Sequence, residues 1–346
     1  MRHRLLAALA PAMTLVLGAG CSALLGIPSE AEIVTPLVPD GDASRVETSM
    51  PDDVFVPPSE AGLDGGADAD ADAEPPPSCD LRKEFAAPEL ITTLSTAGAE
   101  GSPKLSDDEL TMYFDAVRAP ESYFDLYMAT RTALTDSFGP ATLVAGGVNT
   151  TDNHEYAPNV SSDGLTIFFE RQDPGLVDNN FWFATRTSKA LPFETANAVS
   201  GVNTPQYEGK LNVRGDGSEL YFIKLVANKG DIFVAKRMAG GSYVTTPLTS
   251  VNSPQDDYSP VISKNGLVLY LASKRSAAAG GGFDIWVTTR GTTNDNFSDP
   301  VTVLNVNTAS DEEPSWVSND GCRLYLRSNR PGGLGGQDIY VASRPK

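Results

Sequence analysis

The chain has 346 residues and a formal net charge of −19, from 45 acidic and 26 basic side chains. The negative charge is concentrated near the N-terminus, since the stretch from Cys21 to Cys79 holds thirteen Asp or Glu residues and one basic residue, Arg45. Proteins that bind nucleic acid need a basic stripe for the phosphates, and this sequence has none, which excludes that class of partner. Hydrophobic residues make up 40% of the chain, enough for a core outside the acidic stretch.

The first twenty residues are typical of an export signal. A basic start, Arg2–Arg4, precedes an apolar run, Leu5–Leu17, that is too short to span a bilayer comfortably. The small residues that follow end at Cys21, and this arrangement resembles a bacterial lipoprotein signal. The resemblance implies lipidation of Cys21, attachment to the membrane through that lipid, and, because Ser22 follows, the outer membrane (periplasmic or surface face). The alternative is an ordinary secretory signal cleaved near the same residues.

Residues 21–78 are predicted to be a disordered tether between the signal peptide (1–20) and the folded domain (79–346). Asp, Ala, Pro and Gly dominate, as in Ala67–Glu74 and the prolines 75–77. Such a segment cannot bury enough apolar surface to offset its ordering entropy. Its alternating aspartates lack the glycine and bidentate Glu of a Ca²⁺ loop, so a solvated spacer is the better interpretation. No cofactor and no metal site are expected.

The rest of the sequence repeats itself. One phrase, an apolar strand that opens with Asp or Asn and closes with Arg, occurs five times: Asp125–Arg131, Asn180–Arg186, Asp231–Arg237, Asp284–Arg290 and Asp338–Arg344. The closing arginines are separated by 55, 51, 53 and 54 residues. A fixed period of this length predicts a repeat architecture.

Each repeat contains four β-like segments. In the fourth copy these are Tyr258–Ser263, Leu267–Ser273, Asp284–Thr289 and Phe297–Leu304, with an Asn265-Gly266 turn between the first two. No window shows helical periodicity with capping residues. Four-stranded units repeated radially predict an all-β fold, a β-propeller with five blades.

The ends of the repeat region predict how the ring closes. The last copy stops after its third strand, while Phe85–Ile91, before the first copy, is similar to the fourth-strand segment that begins at Phe297. We therefore expect the N-terminal strand to complete the last blade, which removes its open edge. Cys79 and Cys322 would then lie on the same blade, so we predict a disulfide between them. Two buried free thiols are the alternative.

Two stretches of the sequence resemble the WD40-like propeller repeats of the TolB type. They are Pro260–Gly266 with Leu269–Ser273, and Ser328–Gly333 with Asp338–Val341. The resemblance spans residues 85–346 and is weaker in the second and third copies, where Asn180 replaces Asp and Lys210-Leu211 replaces a proline. It implies a periplasmic or surface-exposed binding propeller, commonly without enzymatic activity. TolB also has an N-terminal domain that contacts Tol proteins, which this chain replaces by a tether, so a Tol role is not implied.

Few residues suit catalysis. His154 is the only histidine outside the signal, which argues against a His-rich zinc site or a Ser-His-Asp triad. The Gly332–Gly336 run precedes a strand and lacks the Lys-Ser/Thr of a phosphate loop, so we interpret it as a turn. We predict a non-enzymatic envelope lipoprotein that binds an envelope protein or a glycan.

The predicted binding face consists of residues that recur once per repeat. Acidic residues precede each first strand and basic residues end each second strand: Glu100, Glu155, Glu208, Asp257 and Asp311, and Arg118, Arg171, Lys224, Arg275 and Arg330. The competing interpretation is a set of ion pairs between blades.

A glycoside hydrolase, or another carbohydrate-active enzyme, is the alternative function, because some five-bladed propellers hydrolyse glycans with paired carboxylates. A catalytic pair should break the repeat rather than follow it, so a cluster such as Asp115, Asp173 and Asp178 would favour an enzyme. A purely structural envelope protein, with a charge-neutralised central channel, is the third possibility.

Aromatic residues also recur in one register and are expected to pack between blades: Tyr127, Trp182, Phe233, Trp286 and Tyr340.

Overall fold

The computed structural model describes residues 78–118, 123–172, 179–275 and 282–346. The predicted signal peptide, Cys21 and the tether up to residue 77 lie outside these residues. The described part consists of twenty β-strands in five four-stranded antiparallel sheets, arranged as a five-bladed propeller. Within those ranges, no helix has the length and apolar character needed to cross a membrane.

The strands follow the predicted order within each blade. The first strand, β1, is Glu89–Leu90. Blade 1 contains β2 (Glu100–Leu105), β3 (Thr111–Ala116), β4 (Asp125–Thr130) and β5 (Thr142–Leu143). Blade 2 contains β6 (His154–Val160), β7 (Thr166–Gln172), β8 (Asn179–Thr185) and β9 (Asn197–Ala198). Blade 3 contains β10 (Glu208–Val213), β11 (Glu219–Val226), β12 (Lys229–Arg237) and β13 (Tyr243–Pro247). Blade 4 contains β14 (Asp257–Ile262), β15 (Val268–Ser273), β16 (Asp284–Thr289) and β17 (Val301–Thr302). Blade 5 contains β18 (Glu312–Val317), β19 (Arg323–Ser328) and β20 (Asp338–Ser343), and β1 is its outer strand.

The predicted ring closure is confirmed. Strand β1 pairs with β20 through Glu89 opposite Val341 and Leu90 opposite Tyr340. The predicted disulfide joins Cys79 to Cys322 on the same blade, with 5.7 Å between the two Cα atoms. The outer strand of blade 5 therefore comes from the opposite end of the repeat region, and a covalent bond holds the same two segments together.

Each turn between a first and a second strand is built in the same way. An Asp or Asn side chain accepts the backbone N–H two residues later, as Asp163 does from Leu165 at 2.9 Å, and Asn265 from Leu267 at 3.0 Å. The next residue adopts a positive φ, 72° at Gly164, where glycine carries no Cβ penalty. This explains why the Asp-Gly and Asn-Gly pairs recur in the sequence.

The innermost strands line a central channel and bend at the same place. Their pairing shifts register at the third residue of β2, β10 and β14 and at the fourth residue of β6. The residues there, Ser102, Lys210, Ser259 and Ala157, have φ between 46° and 59°. Blade 5 has Pro314 at this position, and the proline ring fixes φ at a negative value. We call the channel end where the innermost strands begin the upper end, and the other the lower end.

Replacing both Cys79 and Cys322 by Ala is expected to lower the free energy of unfolding by roughly 2–5 kcal/mol, because the crosslink restricts the unfolded chain. The disulfide closes a loop with a sequence separation of 243 residues. Urea unfolding followed by tryptophan fluorescence measures the change. Wild-type protein unfolded in excess reductant is the control and should match the double variant; equal stability of oxidised and reduced wild-type protein would contradict the prediction.

Candidate functional site: the channel mouth

Nine of the ten predicted binding-face residues form ion pairs, together with one acid that the sequence reasoning missed. The oxygen-to-nitrogen distances are 3.8 Å for Glu100–Arg118, 2.9 Å for Glu155–Arg171, 3.0 Å for Glu208–Lys224, 2.6 Å for Asp257–Arg275 and 3.2 Å for Glu312–Arg330. In the fifth blade the paired acid is therefore Glu312, and the choice of Asp311 was wrong. Asp311 instead accepts the backbone N–H of Phe283.

The pairs lie within blades, so the expectation of ion pairs between blades was wrong as well. Glu155 on β6 stands directly opposite Arg171 on β7, and Glu208 stands opposite Lys224. The acid lies at or next to the start of a first strand, and the base lies near the end of the adjacent antiparallel strand or just beyond it, so both side chains reach the upper end of the same sheet.

A short motif before the first strands of blades 2 to 5 completes this network. In blade 2, the Thr150 backbone N–H and hydroxyl both donate to the Glu155 carboxylate, while Arg171 also donates to the Val148 carbonyl. The intervening Asn149 bonds both backbone groups of Leu126 on the preceding blade. Val-Asn-Thr or Val-Asn-Ser recurs at 148–150, 202–204, 251–253 and 306–308. This sequence pattern was available from the start and was overlooked.

Each basic side chain of the network also lies over the aromatic residue of the predicted register. The distances from the cationic centre to the ring centroid are 5.2 Å for Arg118–Tyr127, 4.8 Å for Arg171–Trp182, 5.9 Å for Lys224–Phe233, 5.4 Å for Arg275–Trp286 and 5.0 Å for Arg330–Tyr340. Such cation–π contacts hold the bases in place.

The network leaves its acids little surface. The side chains of Glu155, Glu208, Asp257 and Glu312 have 0% exposure. A ligand at the upper end would therefore meet the edges of the bases rather than the carboxylates. A ligand-binding role for this face remains a prediction.

Inside the channel, the repeat breaks down at the residue that directly follows the paired acid in each innermost strand. Those positions hold Gly101, Tyr156, Gly209, Tyr258 and Glu313, and their partners on the second strands are Asp115, Glu170, Ile223, Ala272 and Arg327. Glycine leaves room for a neighbouring side chain at two of them: a Cβ at Gly101 would lie 3.0 Å from an Asp115 oxygen, and one at Gly209 would lie 2.6 Å from the Tyr207 hydroxyl.

Three channel carboxylates therefore break the repeat, and each is hydrogen-bonded. Asp115 accepts the Ala157 N–H at 3.0 Å on the next blade. Glu170 accepts the Leu211 N–H at 2.7 Å and the Asn179 amide at 2.9 Å.

Glu313 holds the densest group of partners in the channel. It is bonded by Arg327 at 2.6 Å, by Lys210 at 3.0 Å and by the Ser259 hydroxyl. With Lys104, which donates to the Ser315 carbonyl, the described residues of the channel include three bases beside these three acids. Of the predicted cluster, Asp115 lies here, while Asp173 and Asp178 fall outside the described residues.

Burial shifts the pKa of three of these groups away from their usual values. It raises the pKa of Glu170, lowers the pKa of Lys104 to about 7 and raises the pKa of Tyr156 to about 12. Burial alone would also raise the pKa of Glu313, but Arg327, Lys210 and the Ser259 hydroxyl outweigh it and hold that pKa below its usual range. Tyr156 is therefore a neutral hydroxyl at physiological pH.

A pocket of about 190 Å³ opens at the upper end of the channel. We call it the mouth pocket. Its walls combine two tyrosines with hydrogen-bonding side chains: Ser102, Tyr156, Ala157, Glu170, Gln172, Asn179, Tyr207, Lys210 and Arg327.

The histidine singled out in the sequence supports this pocket. The His154 ring lies 5.7 Å from that of Tyr156, and Phe124 lies 4.9 Å from Tyr156. His154 Nδ1 accepts the Phe124 backbone N–H at 3.1 Å, and burial lowers the pKa of His154, which favours the neutral ring that this bond needs. His154 thus positions an aromatic wall beside the pocket.

This chain is similar to several solved structures. A TolB candidate from Agrobacterium tumefaciens is 14% identical, with 75% of this chain and 91% of that one covered and a TM-score of 0.45. The catalytic domain of a GH62 α-L-arabinofuranosidase from Coprinopsis cinerea is 10% identical (77% and 98% covered, TM-score 0.46). An arabinanase from Bacillus subtilis is 12% identical (75% and 96% covered, TM-score 0.43). No family model and no curated protein sequence match the chain.

In the ranges that the structure describes, no group of three or more His, Cys, Asp or Glu side chains is arranged to hold a metal ion. The candidate site therefore rests on the mouth pocket and its polar and aromatic walls.

Two neighbouring acids test the corrected network. We expect Glu312→Gln to lower the free energy of unfolding by about 3 kcal/mol, since it leaves Arg330 without its buried counter-charge. The figure is at the low end for a broken buried pair, because Arg330 keeps its bond to the Val306 carbonyl. Asp311→Asn is the matched control and should change stability by less than about 0.5 kcal/mol, as its oxygen still accepts the Phe283 N–H. Chemical denaturation of both variants gives the comparison, and a larger loss for Asp311→Asn would refute the assignment.

Proposed function

We propose that this protein is a non-enzymatic envelope lipoprotein whose propeller binds a glycan at the mouth pocket. The observation that carries the proposal is the pocket itself, which offers tyrosine rings and hydrogen-bonding side chains around about 190 Å³ of open space. Small-molecule sites combine apolar or aromatic walls with a few well-placed polar groups. Sugars present both kinds of surface, since a ring has an apolar face and a rim of hydroxyls.

The two ligand classes expected from the sequence were an envelope protein and a glycan, and the pocket favours the glycan. Protein partners usually cover about 800 Å² of surface on each side, whereas this opening is small and recessed into the channel. Gln172, Asn179 and Lys210 line it and suit hydroxyl groups. Tyr156 and Tyr207 supply aromatic surface of the kind that packs against an apolar ring face.

The paired charges of the channel support binding rather than hydrolysis. A glycosidase needs one carboxyl to donate a proton and a second to attack or to activate water. Here Asp115 and Glu170 accept backbone N–H bonds that hold the blades together, and Glu313 is neutralised by two bases. These contacts give each acid a structural task.

A carbohydrate-active enzyme is the second candidate, and one observation favours it. Asp115, Glu170 and Glu313 do not follow the repeat, and burial raises the pKa of Glu170, as suits a general acid. In that case Glu170, which lines the pocket, would protonate the leaving oxygen, and one of the other two channel acids would have to serve as the second carboxyl.

The outer-membrane location is part of the proposal and rests on the sequence before Cys21. Lipidation of this residue would fix the tether, and through it the propeller, to the membrane. The acidic and proline-rich composition of residues 21–78 suits an extended spacer.

Lipidation is tested in cells that express the full chain. We expect labelled palmitate to be incorporated into the wild-type protein and into Ser22→Ala, and the label to be absent from Cys21→Ala, since only the thiol of Cys21 would carry the lipid. Fractionation should move Cys21→Ala out of the outer membrane. Label that persists in Cys21→Ala would show that the anchor is elsewhere or absent.

Glycan binding is tested by calorimetry with neutral xylo-, arabino-, cello- and chito-oligosaccharides. Tyr156→Ala should weaken binding roughly fivefold, because an aromatic contact contributes about 1 kcal/mol. Tyr258→Ala is the matched control, since Tyr258 occupies the same repeat position and does not line the pocket. Equal loss in both variants, or no binding across the panel, would reject the mouth pocket. Release of reducing ends that disappears in Glu170→Gln would establish the enzyme instead.

A further inference from the structure

The arginines that close the third strands anchor the blades to one another by a repeated arrangement. At the junction of blades 1 and 2, Arg186 lies 4.3 Å from the centroid of the Phe193 ring. Its guanidinium donates to the Gly164 carbonyl at 2.8 Å and to the Tyr113 hydroxyl on the preceding blade at 3.4 Å. Three other junctions share these contacts and are built by Arg131, Arg290 and Arg344.

The junction of blades 2 and 3 departs from this arrangement at two positions together. Phe168 replaces the tyrosine, so the preceding blade has no hydroxyl there for Arg237. Tyr243 replaces the phenylalanine, and its own hydroxyl donates to the Gly217 carbonyl at 2.7 Å, which is the acceptor that the arginine uses elsewhere. Among the residues that the structure describes, no hydrogen bond or ion pair holds the Arg237 guanidinium, and this side chain is exposed.

The freed arginine lines a groove between two blades. This groove has a volume of about 840 Å³ and runs between blades 2 and 3 at the lower end, away from the mouth pocket. That volume lies within the range of roughly 300–1,000 Å³ that is usual for small-molecule sites. Both exchanged residues, Phe168 and Tyr243, line it together with Phe183.

We propose that the groove is a second saccharide-binding site and that Arg237 is its principal hydrogen-bond donor. The site goes beyond the mouth pocket and does not depend on it. Because of the two exchanges at this junction, Arg237 does not anchor one blade to the next. Its guanidinium lies in an open cavity instead.

The other charges in the groove decide between a neutral and an anionic ligand. Asp163 and Asp216 also line it, and each uses one carboxylate oxygen to hold its own turn. Arg214, 3.9 Å from Asp216, and Lys189 near Asp163 offset part of this charge from outside the groove. Of the charged residues that line the groove itself, two are carboxylates and one is a guanidinium, which favours a neutral ligand over a carboxylate or a phosphate. Neutral sugar hydroxyls, by contrast, accept from an arginine and donate to a carboxylate.

The remaining walls suit the same ligand. Phe168 and Phe183, 6.0 Å apart between ring centroids, are half-buried along the groove and offer an apolar surface for a sugar ring. Ser162, Asn197 and Ser200 add short polar groups. The groove therefore has an aromatic side and a polar side, matching the two faces of a neutral oligosaccharide.

Calorimetry of the full chain with maltotriose, cellotriose, xylotriose and arabinotriose tests the groove, and trigalacturonate serves as the charged probe. In the Tyr156→Ala background, which weakens the mouth pocket, we expect a neutral trisaccharide still to bind and trigalacturonate to bind more weakly. Arg237→Gln should weaken the neutral ligand roughly tenfold, the size of one charge-assisted hydrogen bond. Arg186→Gln, at the equivalent position of an intact junction, is the matched control and should leave the affinity unchanged.

A second variant keeps Arg237 and restores the contacts that hold the equivalent arginine at the other junctions. Phe168→Tyr combined with Tyr243→Phe restores the arrangement of the other four junctions, so Arg237 should turn away from the groove and binding should fall as far as in Arg237→Gln. The melting temperature of this double variant should not fall, because the exchange adds anchoring contacts. Unchanged affinity in either variant, tighter binding of trigalacturonate than of every neutral probe, or no binding of any neutral probe in the Tyr156→Ala background would overturn the proposal.

Discussion

Closure of the ring is the constraint on which the rest of this structure depends. The apolar core is divided into clusters shared by neighbouring blades, such as the one that joins Tyr270 and Ile285 of blade 4 to Leu324 and Leu326 of blade 5. A blade without a neighbour would expose half of such a cluster to water. The pairing of β1 with β20 and the disulfide between Cys79 and Cys322 prevent this by completing blade 5, whose outer strand comes from the opposite end of the repeat region to its other three strands.

Once the ring is closed, residues that repeat in every blade serve mainly to hold it. The Glu155–Arg171 pair illustrates this: its acid is buried, its base also bonds a loop carbonyl, and Trp182 covers the guanidinium. Four further blades repeat the arrangement with small variations. Recurrence once per blade is what a structural role predicts, because every blade presents the same edge to its neighbour.

Residues that depart from the repeat are found where the structure leaves space. At the mouth, glycine at positions 101 and 209 makes room for Asp115 and Tyr207. At the lower end, Phe168 stands where the other junctions have tyrosine and Tyr243 where they have phenylalanine, and Arg237 lies in a groove as a result. In both places a small change in a repeated position converts a packed junction into a cavity lined by polar groups.

The sequence by itself determined the strand content, the five repeats, the closing strand and the disulfide, because these follow from local alternation, turn residues and a fixed period. It did not show whether Asp311 or Glu312 pairs with Arg330. The two acids are adjacent in the chain, and the register between the first and second strands decides which of them faces the base. Nor did it assemble the channel carboxylates: Asp115, Glu170 and Glu313 lie far apart in the chain. The sequence also did not show that the Arg237 guanidinium lacks the anchoring contacts of the other four arginines, because one of those contacts is to a tyrosine hydroxyl on the preceding blade, where this junction has Phe168. Tertiary structure decided these points, because ring closure sets the neighbours of each side chain across blades, whereas sequence periodicity specifies only the face of its own strand on which it lies.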